Sequence, residues 1–286
     1  MKRLTTQFLF RKLPKLKLSI NNFFICLIVL GIPLNLYKNR FYDNSWTVGE
    51  WLISYAGGFV RRGLPGQIIH YISTLFFISP ILLVWLFSVV ALISLAILLL
   101  DFCKDLFQRS FLLSQLIILA PISENYLIRK DTFLVLLYGL SLVSLKKFSK
   151  EKISKFSCIL CVNFFSIIGV LSHESYGIWG LPSLIIIFYL LNRGTTRGIY
   201  QSILFSIVYL IPSILSFTTC WFFKGNLQQA LLIHESWQNL EDILPTLGSL
   251  YQSQPLGAIA AIGWGKSQVF VSSLFSQFNL LIFWHP

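Results

Sequence analysis

Apolar residues in this chain come in long, nearly unbroken runs, not in the alternating or three-to-four-residue patterns of soluble elements. The runs cover 18–37, 78–100, 111–123, 131–145, 156–172, 176–192 and 199–223, with short polar or basic stretches between most of them. About 20 apolar residues in sequence are what a helix needs to cross a bilayer. The pattern therefore predicts an all-α polytopic membrane protein with seven transmembrane helices. The third run is short and contains Pro121. A further apolar stretch, 269–284, is an eighth candidate; it ends at His285-Pro286 with no charged flank, as expected if a C-terminal part is lacking.

Three regions follow: a basic tail at 1–17, a helical membrane domain at 18–223, and an outer segment with the candidate last span at 224–286. The stretch between the first two spans, 38–79, is long for a connection. It is also too rich in Trp46, Trp51, Tyr55, Phe59 and Tyr71 for a free loop. Such aromatics favour the headgroup level. The stretch reads as one or two helices lying in the outer interface, broken at Gly57-Gly58 and at Gly63-Leu64-Pro65-Gly66.

Composition agrees with this reading: 55% apolar, 12% charged, mean hydropathy +0.72. Soluble domains carry about 25% charged residues, so a soluble enzyme, a disordered chain and a coiled coil are excluded. Charge then sets the orientation. With the N-terminus cytoplasmic, the inner segments hold 15 Lys and Arg against 3 acids, and the outer segments hold 8 of each. The whole net charge of +12 falls on the inner side, as the positive-inside tendency requires. It implies no nucleic-acid partner. The basic start followed by an apolar run lacks a small-residue cleavage site, so it reads as a retained first span.

Under this topology the unusual polar residues collect on the outer side. The first outer stretch holds Asp43, Glu50 and the pair Arg61-Arg62 between glycines. A guanidinium fork matches phosphate oxygens, and glycines let backbone approach an anion. The same arginines could instead snorkel to lipid headgroups. Between the third and fourth spans lies SENYLIRKD, with Arg129, Lys130 and Asp131. Asp131 suits an N-cap or first-turn position as well as a functional one. Arg129 and Lys130 fit a phosphate, a glycan or the interface. His173-Glu174 joins the fifth and sixth spans with almost no loop. Ionisable groups at that depth usually face a polar cavity, and a buried carboxyl is expected to have a raised pKa suited to proton transfer. A structural pair linking helices is the other reading. The second His-Glu-Ser, at 234–236, sits in a more polar stretch and reads as a solvated, partly helical segment repeated by chance; a lid over the outer face is the other reading.

Cys158 and Cys161 have CxxC spacing inside an apolar run, without a second pair, and read as small lipid-buried residues. Zinc is not indicated, because HExxH is absent: Gly177 stands four residues after His173. No glycine fingerprint or Walker sequence points to a nucleotide. Within the spans only Gln115, Asn163 and scattered Ser and Thr are polar.

Several features together resemble polytopic GT-C-type glycosyltransferases and related bacterial surface-polysaccharide membrane proteins. They are an acidic, helical first outer stretch, the turn Arg129-Lys130-Asp131 opening a later span, a His-Glu pair at an outer helix end, and further outer segments after the seventh span. The most distinctive stretch, EWLISYAGGFVRRGLPG from Glu50 to Gly66, looks like a motif of uncharacterised bacterial envelope proteins rather than of the well-known mannosyl- or oligosaccharyl-transferases. The likeness covers 18–223, as architecture more than as sequence. The first outer stretch lacks the Asp-Asp or Glu-Asp pair found in some members, which leaves the catalytic acid open. The resemblance implies transfer of a sugar from a polyprenyl-phosphate-linked donor to a glycan or lipid acceptor at the outer leaflet of the bacterial inner membrane. Glu50 or Asp43 would then serve as base. Arg61, Arg62, Arg129 and Lys130 would neutralise the phosphate, with His173 and Glu174 completing the pocket. Since lipid phosphate can itself leave, a divalent metal is optional and no cofactor is implied. Other readings are a polysaccharide polymerase or ligase of the same pathway, a lipid or glycan transporter, and a non-catalytic envelope scaffold. A transporter needs polar groups through the middle of several spans, and few are present. The enzyme reading expects Glu50, Arg61, Asp131 and His173 to share one outward-facing cavity.

Overall fold

The computed structural model describes residues 31, 45–102, 128–193 and 198–243. The expected first and third spans, Asp43, Gln115, the side chain of Trp46 and the whole of 244–286 lie outside the described residues. Within them the chain is helical, with no strand. The elements are α1 (Ser45–Trp51), α2 (Gly63–Phe76), α3 (Pro80–Phe102), α4 (Lys130–Ser149), α5 (Lys155–Ser172), α6 (Ser175–Asn192), α7 (Ile199–Tyr209), α8 (Ile211–Phe222) and α9 (Leu227–Ile243). Among the described residues α3, α4, α5 and α6 are long and apolar enough to cross a membrane, and α7 with α8 makes a fifth candidate if the bent pair is one span.

Local chemistry accounts for several helix ends. Ser154 opens α5, its hydroxyl accepting from the Ser157 amide at 3.1 Å. Asp131 lies in the first turn of α4, and Lys146 and Lys147 lie in its last. Both placements favour the helix dipole. Phe77 ends α2 in the left-handed region, φ 54°.

Helix α5 is central and packs against α4, α6, α8 and α2. Small residues allow the close approaches, as is usual between membrane helices. A Cβ on Gly139 would come within 3.0 Å of Leu98, and one on Gly177 would collide with the ring of Phe217. Buried Ser202 and Ser206 sit on α7, which packs on α6. Elsewhere the spans expose Leu82, Leu86, Ile97, Phe164, Ile186 and Leu190. Large apolar side chains turned outward belong to a surface solvated by lipid.

The expected seventh span is not one straight helix. It breaks at Leu210 and bends by 63°. Pro212 has no amide hydrogen to continue the ladder, and Asn163 of α5 meets the groups the break leaves. Its Nδ2 donates to the Tyr209 carbonyl at 2.7 Å and to Ile159 at 2.9 Å. Its Oδ1 accepts from the Ser213 hydroxyl at 2.7 Å and the Ser213 amide at 3.3 Å. A freed backbone group in an apolar bundle is costly unless satisfied, so this mid-span polar residue is accounted for by helix geometry.

At one end of the bundle, 45–62 and α2 fold into a cap with α9. Trp51, Leu52, Ile53, Val60 and Ile69 bury against Leu83, Val84 and Ile128, and Ala230, Ile233 and Trp237 of α9 close the same core. The Trp237 indole N–H donates to the Leu52 carbonyl at 2.8 Å. Two expectations are corrected here. Trp51 is a core residue, not a headgroup-level aromatic; its indole N–H donates to the Ile128 carbonyl. Gly63-Leu64-Pro65-Gly66 does not break a helix but opens α2. A Cβ on Gly63 would overlap the Tyr55 ring, and one on Gly66 the Ile53 carbonyl. The glycines therefore serve close packing of the incoming segment. The break at Gly57-Gly58 does fall between α1 and α2, with Gly58 at φ 99°.

Candidate functional site

Beneath this cap, four pieces of chain bring charged side chains together. Helix α1 supplies Glu50, and the residues just before α2 supply Arg61 and Arg62. Helix α4 begins with Lys130, and the two-residue turn between α5 and α6 supplies His173 and Glu174.

Arg62 is the centre of this arrangement. Its Nε lies 2.9 and 3.2 Å from the two carboxylate oxygens of Glu174, its Nη2 lies 2.7 Å from Glu174 Oε1, and its Nη1 lies 2.9 Å from Glu50 Oε1. This is a fork-on-carboxylate pairing with a second carboxylate on the remaining nitrogen. Arg61 adds Nη1 at 3.5 Å from Glu174. Lys130 Nζ donates to the Arg62 and Ser172 carbonyls at 3.4 and 3.3 Å and lies 5.9 Å from the centre of the Trp51 ring. Arg61, Arg62, Lys130 and Glu174 are all buried. Arg62 has φ 66°, a left-handed conformation that costs a non-glycine residue about 1–3 kcal/mol. The backbone is fixed on both sides of that point. The Arg61 amide donates to the Phe223 carbonyl beyond α8 at 3.0 Å, and the Tyr55 amide donates to Gln67 Oε1 at 3.0 Å.

The electrostatics follow from the pairing. Burial alone would raise the Glu174 carboxyl, but the Arg62 guanidinium, its hydrogen bonds and Arg61 hold it well below the usual carboxylate range. The raised pKa expected for a buried carboxyl is thus corrected: Glu174 is a permanent carboxylate, not a proton-transfer group. Burial would lower Arg62, and Glu174 and Glu50 more than compensate, pushing it up. For Arg61 burial prevails over the attraction of Glu174, and its pKa falls. Burial, with Arg62 and Lys130, pushes His173 down to about 4 against the opposing pull of Glu174 and Glu50. His173 is therefore neutral at pH 7, and its 4.0 Å approach to Glu50 is not an ion pair.

The sequence-predicted residues divide into three groups. Glu50, Arg61, Arg62, Lys130, His173 and Glu174 come together. Arg129 and Asp131 do not join them: they pair with each other at 2.8 Å, with side chains 44% and 55% exposed. At the start of α4 Lys130 is thus buried while its neighbours Arg129 and Asp131 are exposed, and Asp131 acts on the cluster only through its charge, which adds to the rise of Arg62. Asp43 lies outside the described residues. Trp51, the Ser172 carbonyl and the Ser175 amide belong to the site and escaped sequence reasoning. Backbone groups carry no sequence signal, and Trp51 was visible only as one aromatic among several.

The six side chains differ in access. Glu50 and His173 are 17% and 15% exposed, whereas Arg61, Arg62 and Glu174 are at most 3% exposed. The accessible edge of the cluster is therefore a carboxylate beside a neutral imidazole, with fixed positive charge behind them. Among the described residues no group of three or more His, Cys, Asp and Glu side chains is arranged to hold a metal ion. Cys158, Cys161 and Cys220 are free thiols.

A family model described as "Uncharacterised membrane protein Rv1490" matches residues 22–227, well over half of the chain and inclusive of every clustered residue. No curated protein and no solved structure matches.

Proposed function

The chain belongs to this family of membrane proteins, and we propose that it is a multi-pass enzyme of the bacterial inner membrane. In this reading it moves a sugar from a polyprenyl-phosphate-linked donor to a glycan or lipid acceptor at the outer leaflet. One observation carries the reading: a carboxylate, Glu50, is held by Arg62 at the accessible edge of a buried ionic cluster. The cluster lies at one end of the bundle. Lys146, Lys147, Lys150, Lys152, Lys155 and Arg193 gather at the other ends of α4, α5 and α6. Positive-inside orientation puts that basic end in the cytoplasm and the cluster on the outer side, where lipid-linked sugars are used.

In the reaction the acceptor oxygen bonds to the anomeric carbon and gives its proton to Glu50. The carbon–oxygen bond to the lipid phosphate breaks, and the phosphate leaves with the electron pair. Glu50 is the general base. Arg61 and Arg62 provide positive potential toward the departing phosphate, the main electrostatic demand of such chemistry, and the Lys130 ammonium lies beside them against the Arg62 and Ser172 carbonyls. A conduit for a transported lipid or glycan finds less support, since Asn163 is saturated by helix backbone and Ser213.

Mass spectrometry of polyprenyl-linked sugars in cells lacking the gene tests this directly. Accumulation of a lipid-linked intermediate one sugar short of completion is expected, cleared by the native chain and not by Glu50→Gln. An unchanged lipid-linked pool beside a normal surface glycan refutes the transferase.

A further inference from the structure

The two accessible members of the cluster face each other across a gap that their own hydrogen bonds do not fill. We propose that this gap, between Glu50 Oε1 and His173 Nε2, is the seat of the acceptor hydroxyl, which accepts from His173 and donates to Glu50. The inference rests on the transferase reading and deepens it, naming the chemical group that the site selects.

The tautomer of His173 is fixed by geometry. Its Nδ1 lies 3.1 Å from the Ser175 backbone amide at the start of α6. A backbone N–H can only donate, so Nδ1 accepts and carries the lone pair. The proton of the neutral ring is therefore on Nε2. The approach of Nδ1 to Glu174 Oε2, 3.8 Å, is too long to be a competing hydrogen bond. Neutrality is the balance of the groups that pack on the ring. Arg62 ahead of α2 and Lys130 of α4 repel a second proton; Glu50 of α1 and the adjoining Glu174 attract one; burial decides against it.

Nε2 stands 4.0 Å from Glu50 Oε1. That is beyond hydrogen-bond reach, yet one oxygen atom can serve both. An oxygen about 2.8 Å from each would see them about 90° apart, within the range a hydroxyl accommodates. The bridging atom must accept from Nε2–H and donate to a carboxylate. A hydroxyl does both, as does the water it would displace; an ionised phosphate oxygen or a carbonyl cannot donate, and an ammonium cannot accept. Arg62 Nη1, 2.9 Å from Glu50 Oε1, holds the carboxylate in place. On reaction the hydroxyl proton passes to Glu50, and the imidazole keeps its own proton throughout.

The test uses the full chain in lipid nanodiscs with 15N-labelled histidine, the His173 signal being assigned by its loss in His173→Gln. From about pH 8 to about pH 5.5, a range in which an unperturbed histidine titrates, the ring is expected to stay neutral with its proton on Nε2. A cationic ring near neutrality, or a proton on Nδ1, overturns the proposal. The second readout is restoration of the lipid-linked sugar profile. The Gln variant, whose amide N–H can replace Nε2–H, is expected to retain transfer within about tenfold, the scale of one neutral hydrogen bond, with an unchanged pH profile. His173→Ala is expected to lose about a hundredfold, as when a placed donor is removed. If both variants fold and fail equally, His173 is not a neutral donor. If deleting the gene leaves the sugar profile unchanged, the transferase reading fails by that result alone, and with it the acceptor hydroxyl as occupant; the ring spectrum still decides the tautomer.

Discussion

The cluster around Arg62 and the knot around Asn163 are both polar groups buried among apolar helices, yet they differ in kind. At Asn163 both side-chain atoms are engaged, and every partner is backbone or the Ser213 hydroxyl. No member is charged and Asn163 and Ser213 are both buried. At Arg62 the partners are carboxylates from two distant parts of the chain, and the outermost ones, Glu50 and His173, remain partly exposed. A saturated neutral knot holds a bend. An ionic cluster with one accessible edge is a costly arrangement for stability alone, and its reachable members point to chemistry.

Substitutions can break or sharpen this contrast. The largest effect is expected from Glu174→Gln, which leaves Arg61 and Arg62 buried without their shared carboxylate. A loss of about 3–5 kcal/mol is typical of removing one partner of a buried pair, read as a fall in Tm and in the yield of monodisperse protein. A variant as stable as the parent would remove the distinction between the two regions. Asn163→Leu is expected to cost about 1–2 kcal/mol through the unmet Tyr209 carbonyl and Ser213 amide, with transfer per folded molecule unchanged. A specific loss of transfer would move Asn163 into the site.

Acid separates the regions without mutation. His173 binds a proton less readily folded than unfolded, so the stability due to its neutral form is complete above about pH 6.5, the unfolded value. It declines as pH falls toward about 4. Glu174 is likewise depressed; its contribution is present above the ordinary carboxylate range and is lost at lower pH. Tm is therefore expected to drop on acidification below about pH 6.5, and His173→Gln should flatten the upper part of that fall. Smaller in stability is Glu50→Gln, because Glu50 is partly exposed and Arg62 keeps Glu174: about 1.5 kcal/mol, the lower end for a hydrogen bond to a charged group, with transfer reduced at least about a hundredfold. Smallest is Arg129→Gln, because an exposed pair contributes about 0–1 kcal/mol; a large loss of transfer there would bring the turn at 129–131 back into the site.

The spans at 78–100, 131–145, 156–172 and 176–192 were legible to within a few residues, because each is a continuous apolar run of membrane length. The bend at Leu210 was not, although Pro212 stood beside it, since hydropathy passes through the break unchanged. Arg62, Lys130, His173 and Glu174 were legible as anomalies, being charged or polar where apolar residues prevail. Their pairing was not. Arg62 and Glu174 are 112 residues apart, and no local period links them. The burial of Lys130 beside an exposed Asp131 likewise depends on what packs over α4, which sequence spacing does not encode.

The union of α9 with the first cap segment bears on how the protein is made. Ala230, Ile233 and Trp237 complete the core around Trp51 and Leu52, and Trp237 holds the Leu52 carbonyl. A ribosome must therefore deliver the chain through Trp237 before the segment carrying Glu50, Arg61 and Arg62 can settle. Until then those charges have been inserted beside a membrane without their final enclosure. Biogenesis thus has a late checkpoint: in a nascent chain halted before Leu227, the two ends of the cap have not yet been sewn together.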